Sequence, residues 1–227
     1  MASKAEQLRK TFDFVMEYHS VDVSGHDKEH ILRVYNNAVK LLRHHKEADA
    51  FVVKMAALLH DVDDYKINPQ GGKVIEWLEK NGVNTHNIYR IVSITENIGY
   101  SKTGDKPSFT DIESKIVYDA DKLDAIGAIA VARVFAYGGA HNRAIFHSDM
   151  LPEKDFDAEK YRNSQTPGIN HFFEKLLKLK DLLQTEEARK EGARRHKFMV
   201  KYLDEFFKEQ NDKNWTKYFK EYLKGEK

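Results

Sequence analysis

Cysteine is absent from the 227 residues of this chain. Disulfide bridges, iron–sulfur clusters and thiolate zinc sites are thereby excluded. Proline is scarce at 4 residues and glycine at 12, so few positions interrupt a helix. Strand signals, internal repeats, low-complexity tracts and linkers are missing as well. No stretch approaches the roughly 20 apolar residues of a membrane span. The opening residues, Met1 to Gln7, carry no apolar signal core. Neither sign of charge dominates, since 37 basic and 36 acidic residues leave a net +1. That balance makes no global electrostatic case for nucleic acid or an anionic membrane surface. The expectation is a cytoplasmic protein that engages neither nucleic acid nor membrane.

What remains is helical. Apolar residues make up 41% of the chain, and 13 Phe and 11 Tyr supply bulk for a sizeable core. Their spacing predicts helices at about 4–19, 27–46, 48–61, 72–81, 84–98, 111–137, 168–183, 185–210 and 214–224. Ser3 and Asp27 suit N-caps, and Gly82 and Gly138-Gly139 suit helix ends. Gly99 to Pro107 and Ala140 to Pro167 resist a helical reading, and loops of that length tend to carry function. The chain reads as one all-α domain over 1–227, its helices from about 168 to 224 packed as a C-terminal cover. Trp215, Tyr218, Phe219 and Tyr222 share helical spacing and should pack on the domain or on a partner subunit, which allows a homodimer. The mixed charges of Lys175–Lys180 and Glu186–Lys197 read as solvated helix faces.

The apolar run Met55-Ala56-Ala57-Leu58-Leu59 heads for the core yet ends in His60-Asp61, with Asp63 and Asp64 close behind. Buried carboxylates are costly unless paired or bound to a cation, and a helix C-terminus is a poor place for an uncompensated anion. His30, Arg33 and Asn37 share one face of the second helix, at the seam between an apolar stripe and a cleft. Asp121 interrupts an otherwise small and apolar helix. Two imidazoles and two carboxylates form an N₂O₂ set suited to a borderline divalent ion such as Mn²⁺, Co²⁺, Ni²⁺, Fe²⁺ or Zn²⁺. Four protein ligands on an octahedral ion leave positions for water and a phosphate oxygen. His26-Asp27 is another such doublet, but after Gly25 it reads as a cap, with His26 at the cleft rim.

These segments resemble the HD-domain metal-dependent phosphohydrolase superfamily, in its order H…HD…D through His30, His60-Asp61 and Asp121. The likeness extends to a subgroup of small single-domain hydrolases through His26–Val34, Ala56–Asp61, Asp119–Arg133 and Phe172–Leu183, covering roughly residues 20–210. It implies an all-α core over about 20–137 and a metal held by His30, His60, Asp61 and Asp121, Mn²⁺ being favoured and Mg²⁺ also accommodated. It further implies hydrolysis of nucleoside or deoxynucleoside triphosphates to monophosphate and pyrophosphate by water that the ion activates. Two departures bear on the reading. His60-Asp61-Val62-Asp63-Asp64-Tyr65 lacks the HDxxED pattern of guanosine tetraphosphate hydrolases. His86 is the single histidine between Asp61 and Asp121, which favours one ion over two.

Further roles are assigned by position. Asp64, with Asp63 as alternate, would orient the attacking water or take its proton, against the plainer reading of a solvated turn. Lys66 would hold a phosphate or pair with Asp63. Arg33 would clamp phosphate or brace a carboxylate ligand. Lys122 would neutralise substrate charge, and Asp124 would support a ligating histidine. Arg133 is a substrate contact or a structural ion pair. His141, with His147, would close over the substrate, and Arg195 is a further candidate contact. The competing functions are a 5′-nucleotidase releasing phosphate from nucleoside monophosphates and a regulatory HD module that binds nucleotide without turnover.

Overall fold

A computed structural model describes residues 2–20, 27–64, 67–99, 103–104, 106–152 and 165–225. Every regular element among them is helical, as the spacing predicts. The helices are α1 (Lys4–Tyr18), α2 (Lys28–Leu42), α3 (Ala50–Leu59), α4 (Lys73–Lys80), α5 (Thr85–Asn97), α6 (Ile112–Asp124), α7 (Ala128–Ala140), α8 (Gly168–Glu174), α9 (Glu186–Gln210) and α10 (Lys213–Gly225), with a 3₁₀ stretch at Leu176–Leu182. No single helix among the described residues is long and apolar enough to cross a membrane. The chain divides into two compact units, Met1–Asp124 with Leu182–Arg189, and Ala125–Asp181 with Lys190–Lys227.

In the first unit α3 is the centre. Apart from Ala50 and Lys54 its residues are apolar and buried, packed against α1, α2, α5 and α6. Asp49 caps it by accepting from the Phe51 and Val52 amides at 3.0 and 3.3 Å. Arg90 bonds both Asp49 and Glu113, and Glu113 accepts from the Asp49 amide at 2.8 Å, so one guanidinium holds the cap and its carboxylate neighbour together. Asp27 caps α2 through the His30 amide at 2.8 Å, which places His30 in the first turn of a helix whose apolar stripe faces α3 and α6. Asn37 ties α2 to α6 by donating to the Ala120 carbonyl at 3.2 Å. Trp77 stacks on Phe14 at 4.0 Å and donates its indole N–H to Thr11 at 2.9 Å. Asp119, fully buried, accepts from the amides of Gln184 and Thr185 and from the Thr185 hydroxyl, all within 2.8 Å. Those three bonds fasten the start of α9 to α6.

The second unit is built on aromatic packing. Trp215 and Phe219 of α10 are buried, with Trp215 stacked on Phe207 at 5.3 Å and Phe219 packed edge-on to Phe173 at 6.1 Å. The Trp215 indole N–H reaches the Ser148 carbonyl at 3.1 Å. The aromatic tail therefore packs on its own chain, one of the two alternatives its spacing allows.

Two predicted helices are broken in the structure. The span 111–137 divides because Gly127 adopts φ 95°, ψ −158°, a conformation essentially confined to glycine. The span 168–183 gives way at Lys175 to the 3₁₀ stretch. Apolar spacing runs through both points and carries no trace of either break. A Cβ at Gly127 would also stand 3.1 Å from the Arg195 Cβ. Gly127→Ala should therefore destabilise the protein by about 1–3 kcal/mol, read as a lower urea midpoint at unchanged slope. An unchanged midpoint would show that this backbone can relax.

Candidate metal centre

His60 is the C-cap residue of α3, and the geometry of that position aims its ring. Its Nδ1 lies 3.0 Å from the Ala57 carbonyl oxygen, a bond in which the imidazole must donate, so Nε2 carries the lone pair in the neutral ring. His30 repeats the device with a carboxylate. Its Nδ1 lies 2.7 Å from Asp124 Oδ2, which turns a second Nε2 toward the same point. The two Nε2 atoms stand 3.2 Å apart. Asp61 Oδ2 is 3.2 Å from His30 Nε2 and 3.3 Å from His60 Nε2. Asp121 Oδ1 approaches the same atoms at 3.7 and 3.9 Å.

His30, His60 and Asp121 thus converge, with Asp61 Oδ2 beside both imidazoles. Adjacent donors on one ion with bonds of about 2.0–2.2 Å are about 3.0–3.6 Å apart, so the cluster of His30, His60 and Asp121 is compatible with a divalent cation. Among the described residues, the ligand atoms of His30, His60 and Asp121 all lie within 4.8 Å of one another. Without a cation, a proton on His60 would have to balance the carboxylates in this largely buried place.

Asp121 and Asp124 are each held by a cation. Lys122, nearly buried, donates to Asp121 Oδ2 at 2.6 Å and to the Ile98 carbonyl at 3.1 Å, with its ammonium 4.8 Å from the centre of the Tyr118 ring. Arg33 grips Asp124 with two bonds, Nε to Oδ1 at 2.6 Å and a terminal nitrogen to Oδ2 at 3.1 Å. Burial works against the charge of Asp121, but Lys122 and the two histidines outweigh it and hold its carboxyl down at about 2. Burial likewise opposes a charged His60, yet Asp61 beside it, with Asp121, raises that imidazole to about 9.

Several expectations are revised by these contacts. Lys122 is committed to Asp121 and a backbone carbonyl, so it braces a carboxylate rather than meeting substrate. Arg33 takes the bracing alternative, through Asp124. Asp63 is not a water-orienting group. Its oxygens accept from the Lys73 amide, the Val74 amide and the Asn68 side chain at 2.6–3.0 Å, so it caps α4 from a distance. Asp64 is half-buried on the turn after Asp61, its amide donating to the Asp61 carbonyl at 3.2 Å. Lys66 and His26 lie outside the described residues. Arg133 and His141 belong to the second unit. Arg133 is half-buried on α7, while His141 ends that helix, stacked on Tyr137 at 3.9 Å with Nδ1 against the Tyr137 carbonyl. That local engagement gives His141 a capping role. Arg195 pairs with Glu191 at 2.7 Å.

Sequence reading did not single out the carbonyls of Ala57 and Ile98, and backbone acceptors leave no mark in a sequence. A lysine inside the buried run of α6 was the available signal for the Lys122 brace.

The family described as HD domain matches residues 28–126, a span that holds His30, His60, Asp61 and Asp121. The chain is 32% identical over 211 residues to the protein YpgQ of Bacillus subtilis, covering 91% of this chain and 93% of YpgQ. A crystal structure from Lactobacillus plantarum superimposes with a TM-score of 0.82 at 32% identity, over 93% of this chain and 99% of that one. An HD-superfamily hydrolase from Bacillus thuringiensis does so with a TM-score of 0.72 at 38% identity, over 92% and 99%. YpgQ crystallised in complex with ADP gives a TM-score of 0.70 at 31% identity, over 89% and 97%.

A pH dependence follows. In chelator-treated protein the raised imidazole of His60 lends stability that is whole below its ordinary 6.5 and fades as pH passes about 9. A cation must displace that proton, so its affinity should rise with pH and level off above about 9. Calorimetry near neutral pH, in buffers of different ionisation enthalpy, should read proton release on Mn²⁺ binding. Binding without release would mean that His60 is not a ligand.

Proposed function

The chain belongs to the HD-domain superfamily of metal-dependent phosphohydrolases, and on that premise we propose that it hydrolyses nucleoside or deoxynucleoside triphosphates to the monophosphate and pyrophosphate. The observation that carries a hydrolytic reading is the convergence of His30, His60 and Asp121, with Asp61 beside both imidazoles and the outer atoms of His30, His60 and Asp121 each fixed by a neighbour. A nucleotide is favoured because YpgQ, similar over nearly its whole length, was crystallised with ADP.

In this proposal the four side chains hold one divalent ion, Mn²⁺ by preference. When bound, such an ion acidifies water and neutralises phosphate charge. Asp64 orients the attacking water and takes its proton. The water oxygen bonds to the α-phosphorus while the bond from that phosphorus to the bridging oxygen breaks, and pyrophosphate leaves. Arg33 and Lys122 keep the ligands in place, and Lys66 and His26 remain proposed contacts to the phosphate chain on sequence position alone. Cytoplasmic location and a homodimer are carried forward as part of the same proposal.

With Mn²⁺ and a panel of triphosphates, pyrophosphate should appear in step with monophosphate. Orthophosphate released from monophosphates alone would assign a 5′-nucleotidase instead. Tight binding of metal and nucleotide without turnover would assign a regulatory module. Asp61→Ala should abolish metal binding and turnover together. Asp64→Asn should retain the ion and lower kcat by about 10²–10⁴, the usual size of a general-base effect. A loss of only a few-fold would remove Asp64 from the chemistry.

A further inference from the structure

The near balance of charge over the whole chain is a cancellation. Met1–Asp124 with Leu182–Arg189 holds 18 basic and 22 acidic residues, whereas Ala125–Asp181 with Lys190–Lys227 holds 19 basic and 14 acidic. The cations of the second unit are also ordered in space. In α10, Lys213, Lys217, Lys220 and Lys224 follow at steps of four, three and four, so they form one straight stripe on one helix face. At about 1.5 Å per residue the stripe is roughly 16 Å long. All four lysines are exposed, while Trp215 and Phe219 on the opposite face are buried. The stripe lines a groove of about 610 Å³ at the corner between α9 and α10, and Lys208 joins it from the end of α9.

The carboxylates of the groove do not neutralise it. Asp212 is occupied in capping α10, accepting from the Asn214 and Trp215 amides at 2.9 and 3.0 Å. Glu221 reaches Lys217 only at 3.9 Å. Lys208 is matched by Asp204 at 2.7 Å, as Lys10 in the first unit is matched by Glu6 at 3.0 Å. Among the described residues Lys213, Lys220 and Lys224 have no such partner. Like charges one turn apart destabilise a helix, so folding alone gives no reason for this row.

We propose that this groove binds the sugar–phosphate backbone of a nucleic acid strand, independently of base sequence. A strand offers anions at intervals along a line, and the lysines offer cations about 4.5–6 Å apart along theirs. Lysine ammonium groups are point charges that hold phosphate without reading a base. A bilayer is a poorer match, because the aromatic side chains of α10 are buried in the protein and the lysines line a concavity. An acidic peptide is poorer as well, since no arginine lines the groove to grip carboxylates with two bonds. The inference stands apart from the catalytic proposal, because His30, His60, Asp61 and Asp121 all belong to the first unit.

Fluorescence anisotropy of labelled oligothymidylate, titrated with the full-length protein in chelator, tests it. Affinity should fall with salt at a log–log slope of about −3, the value for four phosphates neutralised on a single strand. Changing Lys213, Lys217, Lys220 and Lys224 together to Gln should weaken binding about tenfold or more and bring the slope near zero. The pair Lys220→Gln, Lys224→Gln should roughly halve the slope. Four exposed lysines of the first unit, Lys40, Lys46, Lys80 and Lys106, changed to Gln instead should leave it unaltered. Binding should persist in Asp61→Ala protein, and the quadruple α10 variant should keep its phosphohydrolase activity with Mn²⁺. Circular dichroism would verify that each variant folds. No binding at low salt, or equal binding by the quadruple and pair variants, would overturn the proposal. So would equal affinity for polyglutamate, or lysine-dependent sedimentation with phosphatidylserine vesicles in place of oligonucleotide binding.

Discussion

Asp61, Asp121 and Asp124 bring three carboxylates to two imidazoles in a place largely closed to water. Carboxylates so placed persist only where cations match them. Arg33 and Lys122 return two positive charges, each through short, directed bonds. With neutral imidazoles one negative charge is left over. A divalent ion would reverse that sign, leaving an excess suited to a polyphosphate. These two cations therefore bias the centre toward an anionic ligand without touching it.

The helices serve this balance. α3 is almost wholly apolar, so it carries His60 to the interior. α2 brings His30 and Arg33 on one face, one turn apart, and α6 brings Asp121 and Asp124 with the same spacing. Because Arg33 and His30 both bond Asp124, α2 and α6 are joined by charge as well as by apolar packing. Asp119 extends the scheme on α6, where three donated bonds offset the burial that raises its carboxyl.

The sequence made much of this legible, and the reasons are physical. His60-Asp61 stood out because ligands do not normally end an apolar helix, and Asp121 because it broke an apolar face. Asp124 as support for a histidine was readable from helical spacing. Lys122 was harder, since a lysine beside a carboxylate serves substrate or scaffold depending on burial that spacing does not reveal. Asp63 misled because its partners on α4 follow after a turn whose path sequence does not specify. The break at Gly127 was hidden because one glycine in a run of small residues suits both a helix and its interruption. Within the HD-domain superfamily, the part of the chain outside 28–126 falls beyond the family match, and there spacing alone predicted helices without their interruptions.

The two tryptophans are divided between the two compact units. Trp77 sits face to face with Phe14, its indole bonded to a hydroxyl, whereas Trp215 is fully enclosed among phenylalanines and bonded to backbone carbonyls. The protein thus carries one native fluorophore per unit, in unlike surroundings. Replacing either with phenylalanine would leave an intrinsic optical reporter for the other, and loss of order in each unit could be followed separately without any attached dye.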